Sequence, residues 1–202
     1  MTRSMRSRRV RVAVVAAAVL LLGAASTAQG VAGRSSAAQE HGRHDHDRHH
    51  DHRVVLEGSG GGTLSLPGFE GDRVSFRLLA SAPADRPWEP TGSFAVSHVG
   101  TDGTVEAAFA GTVDCLMAGG DVALATGVIT SGGAPGLPEP PDLIGRRVGF
   151  SVADDGRRDH LGWSWLVHQF HDVPFCTGVA PFFPVTTGDF AVRGPDSFGP
   201  DR

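Results

Sequence analysis

TVEAAFAGTVDCLMAGGDVALATGVIT, residues 104–130, alternates apolar with small or polar side chains on both sides of a Gly119-Gly120-Asp121 turn. Val105, Ala107, Phe109, Val113, Cys115 and Met117 fall on one face of an extended chain, and Glu106, Ala108, Thr112 and Asp114 on the other. That period of two belongs to a half-buried strand, and the glycine turn returns the chain into a second apolar strand, VALATGVIT. The stretch is a β-hairpin.

The same pattern spreads in both directions. RRVGFSV (146–152) is followed by Asp154-Asp155-Gly156, a hairpin tip, and then by HLGWSWLV (160–167), read as a strand ending near Phe170. GTLSL (62–66), RVSFRLLAS (73–81), GSFAVSHV (92–99) and GDFAVR (188–193) complete a set of about eight or nine strands with no helix. Short turns between consecutive strands favour antiparallel pairing, so an all-β single domain is expected, closed as a barrel or folded as a sandwich. Three connections break the spacing: 81–92, 131–145 and 171–188, the first two rich in Pro. Long loops on a rigid sheet are where binding sites concentrate, so a ligand would be sought beneath these three.

Outside this domain the chain has a different character. Arginines fill the first eleven residues, an apolar run follows from Val12 to about Ala25, and Ser26 and Ala28 suit cleavage after Ala28, with Ala32 and Ala38 as later options. These are the parts of a secretory signal, and the apolar run falls short of the roughly 20 residues a spanning helix needs. Ser7-Arg8-Arg9 hints at a twin-arginine route, and no Cys near the cleavage region marks a lipoprotein. The expected organisation is a signal peptide over 1–28, a disordered His/Asp-rich linker over 29–53, the β domain over 54–195 and a flexible tail over 196–202. Secretion to the extracellular space or cell envelope follows. Cys115 and Cys176 are the two cysteines of the chain, and in an oxidising compartment they are expected to pair, with free thiols or a metal pair as the alternatives.

All eighteen basic residues are Arg, and Lys, Asn and Tyr are absent, a bias typical of a GC-rich genome. Walker-type phosphate loops, Schiff bases and phenolic catalysis are closed to such a chain. The signal takes five of the eighteen arginines, leaving thirteen against twenty-two acids, a net charge of about −9 with neutral histidines. A nucleic-acid partner needs clustered positive charge, which is missing.

The segments GTVDCLMAGGDVALATGVI and CTGVAPFFPVTTGDFAV resemble an uncharacterised family of secreted all-β proteins common in GC-rich Gram-positive bacteria. The similar features span roughly 92–193: a Val-x-Cys-Leu strand, a Gly hairpin, a second apolar strand, and a distal Cys before Gly-Asp-Phe-x-Val. The resemblance implies export, a β fold and a Cys115–Cys176 bond, and says nothing of substrate. DDGRRDH stands where the family tends to have a longer Gly-rich turn.

The chemically loud segment is HGRHDHDRHHDH, residues 41–52. His41, His44, His46, His49, His50 and His52 offer imidazoles to Zn²⁺, Ni²⁺ or Cu²⁺, and the aspartates between them add oxygen ligands. The competing reading is a solvated linker, because the tract has no apolar residue to bury. A third is pH-dependent surface attachment, since the tract turns cationic in mild acid. His160, His168 and His171, with Asp159 and Asp172, form a second group, read as scattered strand-end residues, with a preformed metal or acid–base site as the alternative. Gly162-Trp163-Ser164-Trp165-Leu166 misses the nucleophile elbow: Leu166 replaces its last Gly and no helix is expected to follow. Trp163 and Trp165 read as one core stripe whose end could line a barrel-mouth pocket. The leading expectation is a non-catalytic protein whose His tract binds divalent transition metals weakly. A small-molecule-binding barrel and a secreted hydrolase are the alternatives.

Overall fold

The computed structural model describes residues 52–171 and 173–195. They form nine antiparallel strands: β1 (Arg53–Thr63), β2 (Arg73–Pro83), β3 (Thr91–Val99), β4 (Val105–Gly119), β5 (Val122–Gly133), β6 (Arg147–Ala153), β7 (His160–Trp163), β8 (Phe183–Pro184) and β9 (Thr187–Arg193). Their order across one sheet is β8-β7-β6-β5-β4-β3-β2-β1-β9. It is a meander whose two outermost strands are separated in the chain by only Val185 and Thr186. The segment from Phe183 to Arg193 therefore runs from one edge of the sheet to the other, and the sheet curls into a barrel-like form rather than two stacked layers. Val185 N–H donates to the Asp159 carbonyl on the β7 side, and Thr186 N–H donates to the Gly61 carbonyl of β1.

The first strand corrects an expectation. GTLSL was read as extended, but the strand is the glycine-rich Arg53–Thr63, and Leu64–Asp72 is a turn closed by Leu64 N–H to Asp72 O and Gly71 N–H to Leu64 O. Glycine weakens an isolated strand, yet here the absent side chains make room. A Cβ at Gly60 would lie 2.8 Å from the Phe190 ring and 2.8 Å from the Val185 side chain, so the closing segment packs directly on bare β1 backbone.

β4 carries the second correction. Its register shifts between Val113 and Cys115, so that Val113 faces Gly127 and Cys115 faces Thr126, leaving Asp114 as the extra residue of a bulge. The extra residue reverses the alternation. Beyond it Leu116 and Ala118 are buried in the core while Met117 is 36% exposed, and Cys115 leaves the Val113 face. Asp114 accepts from Thr126 Oγ1 at 2.6 Å and from Arg147 Nε at 2.7 Å, which supplies partners where the ladder is interrupted.

The third correction is a helical turn, α1 (Trp165–His168), where HLGWSWLV was read as strand throughout. β7 stops at Trp163. The chain then leaves through Gln169 and Phe170, both at positive φ (47° and 60°), a costly conformation for residues with a Cβ. Ring packing offsets it: Trp165 and Phe170 stack with centroids 5.7 Å apart and planes 7° from parallel. Among the described residues no helix is long and apolar enough to cross a membrane.

Cys115 and Cys176 are bonded, with Cα atoms 5.4 Å apart. The bond pins the segment 173–182 as a strap across the β6–β7 face that lies away from the core. Ser151 Oγ donates to Val179 O, and a Cβ at Gly162 would come within 2.7 Å of Ala180 O, so the strap rides on glycine.

Candidate functional site

Trp163 and Trp165 sit in a ring cluster, Trp163 within the core and Trp165 packed against it. Trp163 is 3% exposed and stacks on Phe76 at 5.1 Å; Trp165 lies 6.1 Å from Phe76 and 6.1 Å from Trp163. Phe109 and Phe150 meet Trp165 edge-on at 5.4 and 5.7 Å, and Phe183 meets Trp163 at 5.3 Å. Such pairs add about 0.5–1.5 kcal/mol each beyond the area they bury. The stripe read as core forms aromatic packing here. Nor do the three long connections share one end of the barrel. In a meander the β2–β3 connection lies opposite those after β5 and β7, so 81–92 cannot roof the same site as 131–145 and 171–188.

Ser164 is buried, with Oγ accepting the Gly149 N–H at 2.8 Å. A helix does follow it, contrary to expectation, but Ser164 has ordinary right-handed helical angles (φ −72°, ψ −30°) and not the strained turn of a nucleophile elbow.

His41, His44, His46, His49 and His50 lie outside the described residues, as does Asp172. His52 is exposed, and its carbonyl accepts the Ala84 N–H at 2.7 Å, extending the β1–β2 ladder by one rung. His160 pairs with Ala153 and Pro184 in the sheet, His168 ends α1, and His171 is exposed. Among the described residues no three His, Cys, Asp or Glu side chains are placed to hold a metal ion.

Two polar constellations escaped sequence reasoning. His98 Nε2 and Asp72 Oδ2 are 2.8 Å apart and mostly buried, with the Phe69 ring edge-on to His98, and Asp72 Oδ1 accepts the Thr101 N–H at 3.0 Å. The pair ties the β1–β2 turn to the β3–β4 turn. The second lies at the barrel seam. Asp159, 4% exposed, accepts the Phe190 N–H at 2.7 Å, and Asp154 accepts the Val192 N–H at 3.1 Å. β9 is thus tied to the β6–β7 hairpin through two carboxylates where no backbone ladder joins them. At the hairpin tip Asp155 accepts the N–H groups of Arg157 at 2.9 Å and Arg158 at 2.6 Å. Those bonds, Arg158's first, hold its carboxyl below the usual range.

Between the tip and β9 opens a cleft of about 290 Å³, lined by Gly156, Arg157, Arg158, Asp159, Val185, Thr186, Gly188 and Asp189. Burial pushes the Asp159 carboxyl up, the Phe190 N–H bond opposes this, and the charges of Asp189 and Asp154 add to the rise. The sequence signal for this site was the run DDGRRD, whose Asp154-Asp155-Gly156 reads as a turn and whose Asp159 reads as one of the scattered strand-end residues. Its approach to Gly188-Asp189 depends on the curl of the sheet, which no local pattern announces.

Comparison of the chain with family models, with curated proteins and with solved structures returned no match.

Proposed function

We propose that the protein is a secreted, non-catalytic β-domain protein that carries a divalent transition-metal ligand set in residues 41–52. The observation that carries this reading is the union of that tract with the barrel. Six histidines and three aspartates lie within twelve residues, and the last of them, His52, is hydrogen-bonded into the β1–β2 ladder through Ala84. A rigid barrel filled with rings suits the part of a carrier, and the imidazoles suit Zn²⁺, Ni²⁺ or Cu²⁺. The secretory leader and the resemblance to exported β-domain proteins support the extracellular placement.

Calorimetric titration of Zn²⁺ and Ni²⁺ into the chain and into a variant lacking 41–51 tests the proposal. The deletion spares His52, whose carbonyl belongs to the ladder. Saturable heat is expected from the parent only, fading below about pH 6 as the imidazoles protonate. Equal heats from both chains would overturn the metal reading and leave the tract a linker.

A further inference from the structure

The seam cleft separates its charges. Arg157 and Arg158 stand on the hairpin side; Asp159 forms part of the floor and Asp189 stands on the β9 side. Neither guanidinium takes part in an ion pair or side-chain hydrogen bond among the described residues, although two carboxylates line the same cleft. The cleft therefore holds a positive and a negative pole that do not neutralise each other. Burial disfavours ionisation of Asp159, which is almost wholly out of water, and the Asp189 charge beside it adds to the effect. A cation placed between them would relieve that repulsion, whereas a purely anionic ligand would leave it in place. A purely cationic ligand would in turn leave the Arg158 guanidinium without a partner charge, whereas Arg157 has the Asp155 carboxylate nearby.

We propose that this cleft is a binding site for a small zwitterion of the α-amino acid class. The ammonium sits between Asp159 and Asp189, and the carboxylate rests against Arg157 and Arg158. Arg suits this task because its planar fork offers paired donors to a carboxylate. The Phe190 N–H fixes one oxygen of Asp159, which keeps the carboxyl oriented before the ligand arrives. Thr186 and Gly188 on the β9 side leave the opening free of bulky side chains.

The experiment is an NMR titration of the ¹⁵N-labelled chain with L-alanine, and with its two halves, propionate and ethylammonium. L-Alanine is expected to produce saturable shifts confined to the amides of residues 156–159 and 186–190. The dissociation constant should be on the order of millimolar, the range open to so small a ligand. Each half should bind at least about tenfold more weakly, since one pole then goes unpaired. Asp189→Asn should reduce L-alanine to the level of propionate, and the double variant Arg157→Gln/Arg158→Gln to the level of ethylammonium. All three substituted side chains are exposed, so a dispersed parent-like spectrum will attest the fold of each variant. Absence of saturable shifts with L-alanine, or equal binding of propionate, overturns the proposal.

Discussion

Asp159 holds the Phe190 N–H with one carboxylate oxygen while nearly all of its surface is out of water. Removing an ionised carboxylate from water is costly, and burial raises its pKa from the ordinary 3.8. The folded chain therefore binds more protons than the unfolded one just above pH 3.8. The group's stabilising contribution is complete below 3.8 and is lost as pH rises through the folded value. Asn at this position would keep an acceptor for Phe190 and could donate its amide to Asp189 without burying a charge. Asp159→Asn should accordingly raise the thermal midpoint at pH 7 and give no gain near pH 3.5. A variant less stable than the parent at pH 7 would show that the ionised form is worth more than its burial costs. Sequence reading placed this residue among scattered strand-end groups, because DDGRRD carries every mark of a turn and none of the contact with β9.

At the level of elements, the hairpin 104–130 was legible because its alternation is local. The bulge within it was not. Asp114 continues the polar face when the stretch is read as a regular strand, and only the pairing of Cys115 with Thr126 reveals the extra residue. That slip turns Cys115 away from the core face and toward Cys176, so the disulfide and the bulge are one feature of the fold. The pairing of the cysteines was expected from their number and the expected compartment; the strap they anchor was not. Closing a loop with a sequence separation of 61 stabilises the fold by about 4 kcal/mol on the chain-entropy model. The double variant Cys115→Ser/Cys176→Ser should lose roughly that amount in urea unfolding. It should also become open to limited proteolysis between 173 and 182, since the remaining ties of the strap are few. Unchanged resistance to protease would mean that the glycine-cradled contacts hold the strap without the bond.

For the whole molecule, strand number and antiparallel class followed from turn spacing, but the curl of the sheet did not. A nine-strand meander can lie flat, and what curls this one is the return of Phe183–Arg193 to β1. That return depends on contacts such as Phe190 over Gly60, far apart in sequence. The curl also decides what the tryptophans do. Trp163 and Trp165 alternate as though on one strand, yet the break at Ser164 turns Trp165 into α1 and over the mouth, where Phe76, Phe109, Phe150 and Phe170 meet it. If those rings are packing, Trp165→Ala should cost about 3 kcal/mol, the lower end for truncating an aromatic, because Trp165 is only partly buried. The vacated space should accept a planar apolar guest, so millimolar indole should recover part of the lost thermal midpoint in the variant and leave the parent unmoved. A parent stabilised by indole would mean instead that the mouth opens to ligands with Trp165 in place. The stack would then act as a gate rather than a plug.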